Sequence, residues 1–592
     1  MNDTNSTVDV VEKSPQKTVS DAKTEKKYKY KFIALSLLYT LAIALFMVGF
    51  FVNSNKLEQL LYYIRVPLTD GSSQAIVNCV YIGIPVIVVM LILTNLIPRK
   101  VLKHREKIKA FSAKRKFGFP VKQMKFLYNH GYFLSITAIL LAIVFLGHQT
   151  SAWEYISGMF RTTKIYEENY VAPQDQTYVF PKEKKNLVYV FLESMESSFA
   201  SVEEGGMMEE NYIPNLTALA KENISFSDNE QLGGARSING TYWTVAAMVS
   251  QTSGVPLTIP ISKSNFGKDD TFLPGVYSLG QILEKAGYSQ TIMMGSKASF
   301  AKRKHYFEEH GNYKIFDYYT ATGQEEWDYE LKNPLPEDYY VWWGYEDFRL
   351  FEYAKDEIEH LAKQDKPFNV SMITVDTHFY DGYKCEYCKD DFDNQYANVI
   401  SCSDRQVADF VNWIQSHPNP EISEDTVIVL TGDHITMDHS YFDSIDDDIA
   451  KRGRRIYNCF INTGLDSKHT KNRTFTSLDM FPTTLAAIGV EWGNNQLGLG
   501  VNLFSGQPTL SEKFGFNEFS YQLASSSDFY NEYIMDKNYQ KYSPALDEYD
   551  NGTGPYDDSQ KGKEITEEQR KKSSDALKTG QEVFAESALQ SE

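Results

Sequence analysis

Three apolar runs in this chain end in residues that bind metals or move protons. Leu187 to Leu192 (LVYVFL) stops at Glu193, Phe368 to Val375 (FNVSMITV) stops before Asp376-Thr377-His378, and Val427 to Leu430 stops before Thr431-Gly432-Asp433-His434. Carboxylates and imidazoles delivered by separate strands form the donor set of one divalent-metal site. Singly, each is an ordinary polar residue at a strand end, so the joint pattern carries the reading. A fourth stretch supplies a hydroxyl. Asn239-Gly240-Thr241 precedes the helix-like run Tyr242 to Val249 (YWTVAAMV), which puts Thr241 at an expected helix start. A hydroxyl there caps the helix; the same helix end also attracts phosphate, and the glycine lets a ligand approach the backbone. Beside a divalent cation such a hydroxyl is an activated nucleophile.

A site of this kind needs a frame that brings strand ends together. The three runs are too short for helices and read as buried strands, whose carboxyl ends carry the active site of an α/β fold. Between them lie Asn211 to Glu222 and Ser278 to Ala286 as helices, the second closed by Gly287, and Ser289 to Met294 as a strand. Cys402 to Ser416 and Leu478 to Ile488 follow as helices, with Gly489 closing the latter. This alternation predicts an α/β outer domain with a mainly parallel sheet flanked by helices.

Ahead of that domain the chain changes character. Residues 1–31 form a polar tail ending in Lys23, Lys26, Lys27, Lys29 and Lys31, and uncharged runs follow at 32–52, 75–97 and 130–148. Each run is long enough to cross a bilayer, so three transmembrane helices are expected. The loop 98–129 holds 11 basic residues against one acid, Glu106, which makes it cytoplasmic by the positive-inside rule and puts everything beyond residue 150 outside the cell. Contact with anionic headgroups explains this basic loop better than nucleic acid does. Residues 1–147 carry 20 Lys+Arg and 8 Asp+Glu, leaving the rest at a formal charge of −31, unfit for nucleic acid. A linker over 149–185 with an interfacial helix near Trp153, a catalytic domain over 186–550 and a polar tail over 551–592 complete the expected organisation.

Six motifs give these residues a family context. Leu192-Glu193-Ser194, Pro214-Asn215-Leu216, Gly240-Thr241 with Trp243 and Gly254-Val255-Pro256-Leu257, Thr431-Gly432-Asp433-His434, and Asp479-Met480-Phe481-Pro482-Thr483-Thr484 stand in order over approximately Lys185 to Gly506. This stretch resembles the lipoteichoic-acid synthase and phosphoglycerol transferase group within the alkaline-phosphatase and sulfatase superfamily. The run Gly240 to Val249 is nearer to the osmoregulated-glucan phosphoglycerol transferases than to the polymerising synthases. The Cys/Ser-x-Pro-x-Arg signature of sulfatases has no counterpart, so sulfate ester hydrolysis is not expected.

The resemblance implies that Thr241 is the nucleophile and that Glu193, Asp433 and His434 bind a divalent metal together with its oxygen. His378 matches the family's substrate-binding histidine, and Arg303, with Lys302 as its competitor, matches a basic phosphate contact. Where the polymerising synthases carry a His and an Asp, this chain has Met294 and Ser296. Three oxygen ligands and an imidazole favour Mn²⁺, with Mg²⁺ or Zn²⁺ as alternatives. The implied protein is a multi-pass cell-membrane enzyme with its site outside, moving glycerophosphate from phosphatidylglycerol to a glycan or glycolipid hydroxyl through a covalent threonine intermediate. Phosphoethanolamine transfer at the same site is the alternative within enzymes, and a catalytically silent wall-polymer binding module is the alternative outside them. Cys79 lies in the second predicted span. Cys385, Cys388, Cys402 and Cys459 fall outside, and no second close pair completes a zinc site with Cys385-Glu386-Tyr387-Cys388; one or two disulfides near His378 are expected, pairing open.

Overall fold

The computed structural model describes residues 19–51, 56–65, 84–104, 126, 129–259 and 271–536, apart from 443, 444, 446 and 467. Two compact units emerge: Met1–Lys56 with Gly71–Trp153, and Leu57–Asp70 with Glu154–Glu592.

In the first unit, Lys29–Gly49 and Gly131–Gln149 are long and apolar enough to cross a membrane. They pack through stacked Phe46 and Phe145, with ring centroids 4.8 Å apart, and Gly131 lets Leu35 approach. Leu37, Leu41, Phe133, Leu141 and Val144 remain turned outward, where water disfavours them and hydrocarbon does not. Of the third predicted span, 75–97, residues 75–83 lie outside the described residues. The rest forms the apolar helix Ile84–Leu96, shorter than the other two, which passes through a π-turn at Ile92–Leu96 into Ile97–Lys103. The described residues thus contain two spanning-length helices rather than three. Most of the basic loop 98–129 and all of the tail 551–592 are also outside them.

The second unit is built on a six-stranded sheet: β1 (Asn186–Leu192), β2 (Ser289–Met294), β3 (Lys314–Phe316), β4 (Phe368–Ile373), β5 (Thr426–Gly432) and β6 (Asn458–Ile461). Their order is β3-β2-β4-β1-β5-β6, parallel throughout except that β6 runs antiparallel to β5. β1 explains why the run is apolar without alternation. Leu187, Tyr189 and Phe191 enter one core with Trp243, Met248, Leu279 and Phe481, while Val188, Val190 and Leu192 enter the other with Phe351, Ile358, Ile400 and Val407. Both faces are covered by helices, so every position must be apolar.

Helix starts follow their caps. Ser278 closes a capping box with Gln281 ahead of Leu279–Lys285, and Asn394 caps Gln395–Gln415, which begins seven residues before the predicted Cys402. Pro214 opens Pro214–Glu222 in the first turn, where its missing N–H costs nothing. The segment read as a linker is packed into this unit: Val171 pairs with Gly498 and Val179 with Glu491, after an Ala152–Met159 helix where the interfacial helix was expected.

Candidate active site

Register places the acids. In the parallel pairing of β1 with β5, Leu192 lies beside Gly432, so the next residues, Glu193 and Asp433, emerge side by side from the sheet's carboxyl edge. β1 lies between β4 and β5, the crossover point where such sheets open a crevice. The Asp433 N–H donates to the Leu192 carbonyl at 3.1 Å, and the Glu193 N–H donates to Thr374 Oγ1 at 2.9 Å. Gly432 is obligatory: a Cβ there would sit 2.0 Å from the Met195 carbonyl oxygen. Ser194 turns the chain sharply after Glu193 (φ +53°), donating its N–H to Asp433 Oδ1 at 2.8 Å and its hydroxyl to Glu193 Oε1 at 2.7 Å.

Glu193, Asp433 and His434 are 2%, 0% and 1% exposed, with ligand atoms all within 4.8 Å of one another. His434 Nε2 lies 3.3 Å from Asp433 Oδ2 and 3.8 Å from Glu193 Oε1. Its Nδ1 faces the Ile435 carbonyl at 2.9 Å, which assigns the proton to Nδ1 and leaves the Nε2 lone pair facing the carboxylates. Burial and the neighbouring Glu193 charge push Asp433 well above the carboxylate range. Burial raises Glu193 as well, but His434 and His378 outweigh it and hold Glu193 below its ordinary value. Asp433 Oδ2 has no hydrogen-bond partner. Two dry carboxylates, an orphaned oxygen and an imidazole lone pair fit a divalent cation, which would satisfy all of them at once.

The hydroxyl that meets this cluster belongs to Thr244. Its Oγ1 lies 3.4 Å from Glu193 Oε2 and 3.5 Å from His434 Nε2. Thr241, the residue expected there, points elsewhere: its Oγ1 donates to the Ile238 carbonyl at 2.8 Å, accepts the Ile238 N–H at 3.1 Å, and is fully buried. The helix begins at Thr244, three residues later than predicted. Gly240 (φ +78°) closes a turn in which Thr241 bonds back to Ile238, and Trp243 then stays extended to bury its indole. Thr244 is half-buried, within reach of a ligand. The sequence signal was ambiguous, because residues three apart share a helix face and residue types alone do not say which one the turn consumes.

His378 and Arg303 flank the cluster. His378 Nδ1 faces its neighbour's carbonyl, Phe379 O, at 2.9 Å, and its ring packs 4.8 Å from Trp343; burial lowers its pKa, while Glu193 acts in the opposite sense. Arg303 is 7% exposed. Its Nη2 donates to Ser296 Oγ at 3.0 Å and Lys297 O at 2.7 Å, and its Nε to Phe300 O at 3.2 Å. Burial pulls it down to about 10, so it stays charged at neutral pH, and it is electrostatically linked to Glu193. Ser296 therefore fixes Arg303 in place. Lys302 occupies the left-handed turn (φ +58°) that lets Arg303 start the Arg303–Glu309 helix.

Further residues, not singled out from sequence, hold the ligand loops. Thr377 Oγ1 donates to the Glu193 carbonyl at 2.5 Å, Gln251 Nε2 to the carbonyls of Gly432 and Asp433, and Glu196 accepts the Thr436 N–H at 2.9 Å while paired with Arg454. Among the described residues Cys388 and Cys402 form a disulfide, and Cys385 and Cys459 are buried thiols.

The family model described as Sulfatase matches residues 185–490, just over half of the chain. Phosphoglycerol transferase I of Escherichia coli O6:K15:H31 (strain 536 / UPEC) is 31% identical over 348 residues, 58% of this chain and 42% of that protein. The chain thus spans about two-fifths of the length of the curated relatives it matches. Among solved structures, the lipoteichoic acid synthase LtaP from Listeria monocytogenes is similar at a TM-score of 0.42 and 17% identity, covering 58% of this chain and 80% of that one. The lipooligosaccharide phosphoethanolamine transferase A from Neisseria meningitidis is similar at 0.43 and 14%, covering 78% and 84%.

Proposed function

The chain belongs to the sulfatase family, and from the groups at its sheet edge we propose that it is a membrane-anchored phosphotransferase that moves glycerophosphate from phosphatidylglycerol to a hydroxyl of a glycan or glycolipid. The observation that carries this reading is the convergence of Thr244 Oγ1 on Glu193 and His434, with Arg303 linked to the same carboxylate. The curated relative named phosphoglycerol transferase I supports the choice of transferred group.

Glu193, Asp433 and His434 would hold the metal, with Mn²⁺ favoured by the hard oxygen ligands. Bound there, it supplies a Lewis acid that lowers the pKa of a nearby hydroxyl and offsets phosphoryl charge. Thr244 takes the role that the resemblance gave to Thr241. Thr244 gives up its proton to solvent as its oxygen forms a bond to the donor phosphorus, the bond from phosphorus to the diacylglycerol oxygen breaks, and His378 delivers the proton that oxygen needs. Arg303 neutralises the non-bridging oxygens. The acceptor hydroxyl then attacks the glycerophospho-threonine, its proton passes to His378, the bond from phosphorus to the Thr244 oxygen breaks, and Thr244 takes a proton back from solvent. A site on the outer face, proposed from the charge asymmetry of the amino-terminal segment, fits a reaction whose energy comes from the donor's own phosphodiester. Incubating the full chain with headgroup-labelled phosphatidylglycerol should release diacylglycerol and leave a glycerophosphate adduct that peptide mass spectrometry maps to Thr244; hydrolysis without any adduct would remove the covalent route.

A further inference from the structure

The segment just after the first apolar helix does not stay with it. Leu57–Arg65 (LEQLLYYIR) belongs to the catalytic unit, more than 120 residues ahead of β1 in sequence. Nine residues have no stability as an isolated helix, so docking must hold this one together. Its contacts reach the segments that carry the site residues. Glu58 Oε1 accepts the Ile259 N–H at 3.0 Å, just beyond the Gly254-Val255-Pro256-Leu257 motif. Gln59, 3% exposed, donates Nε2 to Met437 Sδ at 3.8 Å, three residues after His434. Tyr62 is fully buried, its ring 6.1 Å from that of Trp243, the residue before Thr244.

The Tyr62 hydroxyl donates to the Ala301 carbonyl at 2.5 Å. Ala301 (φ +54°) and Lys302 (φ +58°) are consecutive non-glycine residues in left-handed conformation, a turn that persists only when its surroundings fix it. That turn aims Arg303. One helical turn beyond Gln59, Tyr63 packs on Phe300 at 5.9 Å, with its hydroxyl 3.5 Å from Gln59 Nε2, and it is half-buried rather than sealed. Phe300, on which Tyr63 packs, also accepts the Arg303 Nε–H on its carbonyl, so Tyr63 sits beside Arg303.

We propose that the Leu57–Arg65 helix is a wall of the active site, in which Tyr62 is a positioning residue for Arg303 and Tyr63 donates a hydrogen bond to the phosphate-bearing headgroup. This rests on the phosphoryl-transfer reading above. The transfer unit is then incomplete without the segment between the apolar helices, and an outer domain cut at residue 150 lacks part of its own site.

The test uses the full chain, loaded with Mn²⁺, in vesicles containing phosphatidylglycerol. Tyr62→Phe keeps the packing and removes one buried hydrogen bond; kcat/KM should fall about tenfold with Mn²⁺ affinity unchanged. In an Arg303→Ala background the same change should have almost no further effect, since Tyr62 acts through Arg303. Tyr63→Phe should raise KM about fivefold and spare kcat, the signature of lost binding. Wild-type kcat/KM in both single variants, or a Tyr62→Phe loss that adds fully to that of Arg303→Ala, overturns the proposal. Docking is tested without activity by pairing Gln59→Cys with Met437→Cys: a disulfide formed in intact cells supports the wall, and free thiols under oxidation refute it. A Gln59→Cys, Met437→Cys chain that cross-links, while the wild-type chain leaves phosphatidylglycerol intact, would fail the functional reading instead.

Discussion

Thr244→Ala and Thr241→Ala separate two hydroxyls three residues apart. Among the described residues the Thr244 hydroxyl bonds only to Glu193 and His434, at 3.4 and 3.5 Å, both long for hydrogen bonds, so its loss should cost at most about 1 kcal/mol of stability. As the nucleophile, however, its loss removes the covalent route, and kcat should fall on the order of 10⁴-fold or more. The Thr241 hydroxyl both donates to and accepts from Ile238, at 2.8 and 3.1 Å, in a fully buried turn. Alanine there should cost roughly 1–3 kcal/mol and lower the melting temperature while leaving much of the turnover. Diacylglycerol release from phosphatidylglycerol vesicles, run beside thermal melts of both purified full-length variants, reads the two effects separately. A Thr241→Ala chain that melts like wild type and is inert, with Thr244→Ala active, would refute the assignment and return the nucleophile to Thr241.

Chelation should lower the melting temperature and restore repulsion between Glu193 and Asp433; re-adding Mn²⁺ at about 100 times its Kd should return about 2.7 kcal/mol, readable by differential scanning fluorimetry. His310, packed against the Phe272 carbonyl at 2.6 Å, has its pKa pulled by burial from 6.5 to about 4. The folded value lies below the unfolded one, so its contribution, about 3 kcal/mol, is full above pH 6.5 and lost as pH falls toward 4. Urea midpoints measured across that window should drop less in a His310→Gln variant than in wild type. Gly432→Ala drives a methyl into the Met195 carbonyl, which belongs to backbone and cannot swing away; a loss of roughly 3 kcal/mol and weaker Mn²⁺ binding by calorimetry are expected.

What the residue types alone determine here is the sheet and its acidic edge. A strand buried on both faces is mostly apolar, so β1, β4 and β5 stand out despite Asn369 and Ser371 in β4, and the polar residues that follow each run mark the carboxyl end where Glu193, His378 and Asp433 emerge. Ser278 and Gly287 likewise announce their helix, because caps and left-handed glycine act within a few residues. Other features depended on partners distant in the chain. Whether Thr241 or Thr244 begins its helix turns on the burial of the Trp243 indole and on the Gly240 turn against Pro256, which no local propensity contains. Leu57–Arg65 reads as a short connection between apolar runs until Tyr62 finds the Ala301 carbonyl 239 residues away. Local periodicity records which way a residue faces, whereas only the closed tertiary structure decides what it faces.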